Sequence, residues 1–228
     1  MSPIEKFKAA LSGSEIQVLH QCLQQAMQPL PKESVPWYLG GSHTATGHLT
    51  PLHAKALQQL SAQWVQLPLG LRWDTQEGTP SSRSLALAEW AKQLHDQGHV
   101  TGWRNEKFSF WEDQVIGLGK HSLEPTSHLP AAFEMERSAF RFFGLRSHAV
   151  HVNGFTLEGH VWCGRRAQTK ATDPGMLDNI AAGGLPAGEL LQTCGVREMA
   201  EEAGISEALA MTAVAHGKVL SLIHISEP

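Results

Sequence analysis

The stretch from Gly183 to Ile205 constrains the fold of this chain more than any other, because four glutamates stand in it at fixed spacing. Residues 190–203 are mostly helix formers, and Gly204 follows where a left-handed residue commonly ends a helix. The glutamates that share one face of this predicted helix, three or four positions apart, are Glu198, Glu201 and Glu202. Like charges on one face repel, so we expect a basic side chain or a divalent cation among them.

A solvated acidic helix face is the structural alternative for three glutamates alone. The complete stretch argues against it, because it matches Gly-x5-Glu-x7-Arg-Glu-U-x-Glu-Glu-x-Gly-U, with U apolar, at all nine specified positions over 23 residues. This pattern is the Nudix box, and the stretch resembles the loop–helix–loop metal site of the Nudix hydrolases. The resemblance implies an α-β-α sandwich and hydrolysis of a diphosphate linkage.

The carboxylates and one carbonyl are the expected ligands of Mg²⁺ or Mn²⁺, which prefer hard oxygen donors. The candidate metal ligands are Glu198, Glu202, Glu201 and, as the resemblance implies, the backbone carbonyl of Gly183. Glu201 is either a third ligand or the base that orients the attacking water, and the sequence leaves this choice open. Arg197 is expected to orient Glu198 or Glu201 through a charge-assisted hydrogen bond.

Other positions of the box have a structural role. Glu189 is expected to brace the loop against the helix or to bind the ion through water. Gly183 and Gly184 allow the backbone to approach the ion closely, and Gly204 ends the helix. Gly195 departs from the small residue, such as Ala, that the family usually has in mid-helix, at a cost of about 1 kcal/mol relative to Ala.

Three basic residues, Arg165, Arg166 and Lys170, precede the acidic stretch. They are either solvated surface charges or groups that bind the phosphates of the substrate, which a metal ion alone would not orient.

Composition limits the partners and the compartment. A formal net charge of −4 gives no basic footprint for nucleic acid, and no apolar run approaches membrane-spanning length. The N-terminus lacks an apolar signal core. The three cysteines have no Cys-x-x-Cys spacing, so we expect reduced thiols in a cytoplasmic protein.

The 13 histidines invite a zinc hypothesis. His148 with His151, or His151 with His160, could be drawn as ligand pairs. No Cys/His cluster has the usual zinc spacing, so packed or solvated histidines are favoured.

Hydrophobic periodicity predicts the following elements. The predicted helices are 14–27, 52–64 capped by Thr50, a helix through His95 capped by Ser82 or Ser84, 134–143 and 190–203. The predicted strands are 35–39, 64–67, a partly alternating segment around 103–111, 148–155 and 158–164. Residues 118–130 are polar and contain proline, which marks the expected domain junction.

The run from Glu136 to Gly204 also resembles one Nudix subgroup that carries an additional N-terminal domain. Its marks in this chain are Phe143-Gly144, residues 150–154, Trp162, Arg165-Arg166, Lys170, residues 174–179 and Gly183-Gly184. On this basis, residues 1–125 form a small mixed α/β domain and residues 126–219 form the Nudix domain.

The subgroup is similar to the Nudix domain fused to thiamine pyrophosphokinase in some fungi. The resemblance implies hydrolysis of thiamine diphosphate, or of its oxidised or damaged analogues, to the monophosphate and phosphate. The alternatives are a nucleoside diphosphate derivative such as ADP-ribose as substrate, or a non-catalytic binding module. The expected partners are a small diphosphate and a second copy in a homodimer, with no nucleic acid and no membrane.

The last residues, 220–228, resemble a translated sequencing adapter rather than native protein. We therefore expect a Nudix domain that is incomplete at its C-terminus, and a chain that folds or turns over poorly as written.

Overall fold

The computed structural model describes residues 2–26, 30–75, 78–112, 130–169 and 174–217. Its mixed helices and short, mostly antiparallel strands are of the α+β class. The helices are α1 (Pro3–Ala10), α2 (Gly13–Ala26), α3 (Pro51–Leu60), α4 (Pro80–Asp96), α5 (Arg137–Phe142), α6 (Leu191–Ala203) and α7 (Glu207–Ala210). The strands are β1 (Val35–Leu39), β2 (Gly47–Leu49), β3 (Trp64–Leu67), β4 (Gly70–Trp73), β5 (Lys107–Phe110), β6 (Phe133–Glu136), β7 (Ala149–Val152), β8 (Gly154–Phe155), β9 (Val161–Trp162), β10 (Gly164–Arg165), β11 (Leu177–Asp178) and β12 (Ala181–Gly184).

These elements form two units. The aromatic unit consists of the described residues within Pro29–Ser147 and Pro186–Glu189. The box unit consists of those within Met1–Gln28, His148–Leu185 and Leu190–Leu222. Each unit is therefore built from more than one segment of the chain.

The aromatic unit contains a four-stranded sheet in the order β2-β1-β4-β3. β1 and β4 are parallel, and the other neighbours are antiparallel. Trp37 and Leu39 alternate along β1 and are both buried, as the period of a half-buried strand requires. The predicted strands 35–39 and 64–67 are thus confirmed.

Four tryptophans supply much of this unit's core. The ring of Trp64 lies 5.2 Å from that of Trp37 and 5.7 Å from that of Trp90, and Trp73 lies 5.1 Å from Trp90. The indole N–H of Trp37 donates a 2.8 Å hydrogen bond to the carbonyl of Phe143. A buried indole N–H needs such a partner, so this bond fixes the chain after α5 against β1.

Threonines cap the two longer helices of this unit. The hydroxyl of Thr50 accepts from the amide of His53 at the start of α3, as predicted, although α3 ends at Leu60 rather than at residue 64. The predicted caps of α4, Ser82 and Ser84, are wrong. Thr79 is the cap and accepts from the amide of Ser82, because Pro80 fits the first helical position and lengthens the helix toward its N-terminus.

The predicted helix 134–143 is half wrong. Residues Phe133–Glu136 form β6, which pairs with β5 and buries Phe133 and Met135. The helix begins only at Arg137, where the carboxylate of Glu136 accepts from the amide of Ser138. Pairing with β5 and packing against α4 override the local preference for helix.

The box unit begins with α1. Its Lys6 donates a 2.7 Å hydrogen bond to the carbonyl of Leu157, and Phe7 contacts the ring of Phe155. The strands of this unit pair as β12–β7, β8–β9 and β10–β11, all antiparallel. The predicted strands 148–155 and 158–164 are each present as two shorter strands.

The centre of the box unit is the packing of α6 on the ribbon of β7 and β12. Ala181 and Met199 are buried there with Ala210 of α7. Val152, which pairs with Ala181, packs against the same cluster. This face of the ribbon is therefore packed against α6.

Some sequence predictions fall outside the described residues. The boundary between 125 and 126 lies within 113–129, and the tail 220–228 lies within 218–228, so both stay predictions. Among the helices that are described, none has the length and apolar character needed to cross a membrane.

Gly47→Ala should destabilise the aromatic unit by about 1–3 kcal/mol, as overpacking does. The added methyl would lie 2.5 Å from both the indole nitrogen of Trp37 and the carbonyl oxygen of Phe143, the two atoms of a buried hydrogen bond. Urea unfolding followed by tryptophan fluorescence measures the change. Gly41→Ala is the control, because no atom lies within 4 Å of its added carbon. Equal stability of the two variants would contradict the packing described here.

Candidate active site

The box residues lie on three successive pieces of the chain. β12 carries Gly183 and Gly184, and α6 carries Arg197 and the three clustered glutamates. Helix α6 spans Leu191–Ala203 and ends at Gly204 with φ 63°, as predicted. The segment between them, Pro186–Glu189, belongs to the aromatic unit, where the amide of Ala187 donates to the carbonyl of Lys107. The predicted bracing role of Glu189 thus stays a prediction.

The side chain of Glu198 occupies the space beside Gly183. A Cβ built on Gly183 would lie 1.9 Å from the Cδ and the Oε1 of Glu198. Only glycine leaves room for the carboxyl there. At this point β12 and α6 contact each other through the carboxyl of Glu198, which packs directly against the backbone of Gly183.

Glu202 reaches the same strand one residue earlier. Its Oε2 accepts a 2.9 Å hydrogen bond from the amide of Ala182, a donor on β12. Two of the predicted ligands, Glu198 and Glu202, are thus held against neighbouring residues of β12.

Arg197 supplies the positive charge expected among the carboxylates. Its Nη1 donates to Glu198 at 2.7 Å and to Glu201 at 3.2 Å. Its Nη2 lies 3.6 Å from the sulfur of Cys194, which is buried and contacts the carbonyl of Gly184 at 3.5 Å. Arg197 brings a single positive charge to two carboxylates, and the amide of Ala182 bonds Glu202 without neutralising it, so the three carboxylates together keep an excess of negative charge.

The oxygen atoms of these carboxylates and of the nearby backbone also suit a hard divalent cation. Carboxylates and a strand-end carbonyl are the ligands that Mg²⁺ and Mn²⁺ take, and Gly183 provides the uncovered backbone that lets Glu198 lie beside it. Within the described ranges, no set of three or more His, Cys, Asp or Glu side chains converges closely enough to hold an ion. The structure thus brings Glu198 and Glu202 to β12, while Glu201 is held by Arg197 on the exposed side of the helix.

The predicted phosphate-binding residues take different positions. Arg165 is exposed and donates from Nη1 to the carbonyl of Gly175 at 2.8 Å. Arg166 forms a 2.6 Å ion pair with Asp178, and that hydrogen bond holds the pKa of the Asp178 carboxyl below its usual value. A lowered carboxyl pKa gives stability that is present above the unfolded pKa and is lost as the pH falls. Lys170 lies outside the described residues.

The sequence does not predict one group of hydrogen-bonded polar side chains. The side chains of His151, Asn179 and Asn153 are joined by hydrogen bonds of 2.9 and 2.7 Å. The sequence predicts a packed or solvated His151, with a zinc pair as the alternative. Its partner stands 28 positions away, and only the pairing of strands could have revealed it.

Gly183→Ala should displace the carboxyl of Glu198, the flexible end of that side chain, and destabilise the box unit by about 0.5–1.5 kcal/mol through the lost hydrogen bond to Arg197. The matched substitution Gly195→Ala lies on the same helix-strand contact, but its added carbon would meet only Val150 at an ordinary 3.4 Å. It should stabilise α6 by about 1 kcal/mol. Chemical denaturation followed by far-ultraviolet circular dichroism compares the two. Destabilisation by both, or by neither, would contradict the contact between Glu198 and Gly183.

Comparison of the sequence with known proteins is a second source of evidence on the function. No family model matches the chain. Over 61% of its length, the chain is 39% identical to Nudix hydrolase 20, chloroplastic, and 38% identical to Nudix hydrolase 24, chloroplastic, both of Arabidopsis thaliana. It is also 31% identical over 48% of its length to an uncharacterized protein of Saccharomyces cerevisiae.

The chain spans about a third of the length of these curated relatives, since the matches cover 35%, 36% and 29% of them. The similarity to two proteins named Nudix hydrolases supports membership of this chain in the Nudix superfamily.

Proposed function

We propose that this protein is a Nudix hydrolase that cleaves a diphosphate linkage with the help of Mg²⁺ or Mn²⁺. The observation that carries the proposal is the placement of the Glu198 carboxyl over Gly183, beside a Glu202 that is bonded to Ala182. The similarity to the two plant Nudix hydrolases supports a hydrolase acting on phosphoric anhydrides.

The proposed ion site uses Glu198, Glu202 and the carbonyl of Gly183, with Glu201 as third ligand or as base. A bound Mg²⁺ would neutralise charge on the phosphoryl oxygens and lower the pKa of a bound water. Arg197 bridges Glu198 and Glu201, because its Nη1 donates a hydrogen bond to each, so both carboxylates keep defined orientations before an ion arrives. Glu201, the more exposed of the two, can then accept a proton from water.

Arg165 and Arg166 are proposed to contact the phosphates, and the exposed guanidinium of Arg165 is better placed to do so. Arg166 is already paired with Asp178, so it contributes chiefly by keeping the neighbouring strands in register. Lys170 is retained as a proposed phosphate contact on the basis of the sequence pattern alone.

The proposed substrate is thiamine diphosphate or one of its oxidised or damaged analogues, and the products are the monophosphate and phosphate. The support is the likeness of residues 136–204 to one Nudix subgroup. ADP-ribose is the second candidate, because the box fixes the chemistry of the diphosphate and not the group attached to it. A non-catalytic binding module is the third, although every box glutamate is present in this chain.

We further propose that residues 126–219 form the Nudix domain, that residues 1–125 form the additional domain of the subgroup, and that the protein acts in the cytoplasm. The support for the last point is the wide spacing of the three cysteines, which favours reduced thiols. The two plant relatives are named as chloroplastic, which is stated of those proteins.

Glu202→Gln should lower turnover by about two orders of magnitude or more, since an amide is a far poorer ligand for a hard cation than a carboxylate. The fold should survive, because the amide oxygen can still accept from Ala182. Phosphate release is measured with thiamine diphosphate, its oxidised analogues and ADP-ribose, each with and without Mg²⁺. Glu207→Gln, an exposed position on α7, is the control and should keep full turnover. Unchanged turnover in Glu202→Gln would remove the helix from the mechanism, and no release from any substrate would defeat the proposed activity.

Ion binding should be measurable without turnover. Titration calorimetry with Mg²⁺, or the electron paramagnetic resonance of Mn²⁺, should detect a site in the wild type. Glu198→Gln should weaken this site about tenfold or more, because Glu198 and Gly183 are expected to share the ion. Glu207→Gln again serves as the unaffected control. Equal ion affinity in the wild type and in Glu198→Gln would place the ion elsewhere.

A further inference from the structure

A series of hydrogen-bonded polar side chains lies on β7, on β11 and on the residues beside them. The carboxylate of Asp178 accepts from the guanidinium of Arg166 and from the amide of Asn179. The side chain of Asn179 in turn bonds His151 and Asn153. None of these residues is buried, and His151 and Asn153 are exposed.

These hydrogen bonds are expected to add little to the stability of the fold. Hydrogen bonds between exposed side chains replace equally good bonds to water, and ordering each side chain has an entropic cost. A set of polar side chains locked together at a surface is instead what a binding site needs, because its groups are oriented before the ligand arrives.

The hydrogen bonds of Asn179 indicate which ring nitrogen of His151 carries the hydrogen. The amide nitrogen of Asn179 donates to the carbonyl of Asn153, so the atom that faces His151 is the amide oxygen, an acceptor. With the Asn179 amide assigned in this orientation, Nδ1 of His151 is the donor, and in the neutral ring the lone pair then lies on Nε2. Within the described part of the chain, Nε2 has no hydrogen-bond partner.

The strand register places His151 next to the candidate ion site. His151 pairs with Ala182, so their Cα atoms are about 5 Å apart, and the amide of Ala182 binds Glu202. The preceding pair, Val152 and Ala181, faces α6. Because side chains alternate along a strand, His151 projects from the opposite, exposed face of the ribbon.

The amide of Ala182 points to Glu202 and not to β7, so Glu202 lies at the edge of β12 away from β7. A ligand held at this edge can extend from the α6 side over the exposed face. The residues there on β12 are Ala182 and Gly184, neither of which carries a side chain that would shield the imidazole. We propose that Nε2 of His151 is a binding contact for the substrate, accepting a hydrogen bond from an amino or hydroxyl group on the organic moiety attached to the diphosphate. Asn179 is the positioning residue that holds the ring in the accepting tautomer. The inference rests on the proposed diphosphatase activity for its substrate.

The decisive measurement is nitrogen-15 NMR of the imidazole rings in the full chain, with thiamine diphosphate and ADP-ribose as probes and Ca²⁺ in place of Mg²⁺. His151→Gln assigns the signals. Recorded at a pH where the ring is neutral, the spectrum of the protein alone should show the hydrogen on Nδ1, and at least one probe should shift the Nε2 signal. The opposite tautomer, or an Nε2 signal unmoved by saturating amounts of both probes, would overturn the proposal. This readout does not depend on turnover, so an inactive wild type would defeat the proposed activity and leave the binding contact to be decided by the spectra.

Kinetics then separate binding from a structural effect. His151→Ala should raise KM about five- to tenfold, the worth of one hydrogen bond, with kcat within about twofold of the wild type. Asn179→Leu should abolish the tautomer preference and raise KM in the same direction. His160→Ala, an exposed histidine of the same unit, is the control and should change neither. A fall in kcat at constant KM, or no change in either variant, would overturn the proposed contact.

Discussion

The approach of a carboxylate to bare strand backbone is the constraint on which the candidate site depends. Glu198 can lie against β12 only because Gly183 has no side chain, and the same approach lets Glu202 reach the amide of Ala182. The small apolar cluster around Met199 holds α6 at this distance. The acidic residues are thus kept in place by apolar packing behind them and by hydrogen bonds in front of them.

The sequence predicts the parts of this arrangement that are local. The start of α6, its end at Gly204 and the shared face of the glutamates follow from spacing along one helix. The bond from Arg197 to Glu201 follows from the same spacing, because residues four positions apart are neighbours on a helix surface. What spacing does not reveal is how the charges are balanced. The single charge of Arg197 is shared by Glu198 and Glu201, and Glu202 bonds a neutral strand amide, so these contacts orient the carboxylates without neutralising all of them.

Predictions fail where distant residues decide the outcome. Residues 134–136 are predicted as the start of a helix. They belong instead to the strand 133–136, which pairs with β5 because Phe133 and Met135 complete an aromatic core. The chain formed by His151, Asn153 and Asn179 is invisible in the same way, because its members meet only after β7 and β12 have paired. By contrast, the cap of α4 was misplaced by local evidence alone, since Thr79-Pro80 is as good a start signal as either serine.

The pairing of β5 with β6 joins residues on either side of the connection that contains the expected domain junction. Since the two strands register through Phe108 with Met135 and Phe110 with Phe133, their alignment is set by the ladder and by the rings it buries. The entropic cost of closing a loop between two paired strands grows only logarithmically with loop length, by about 0.6 kcal/mol for each doubling. Insertions and deletions between these strands are therefore tolerated far more readily than changes within them, and evolution can lengthen or shorten the chain there while the aromatic core stays as it is.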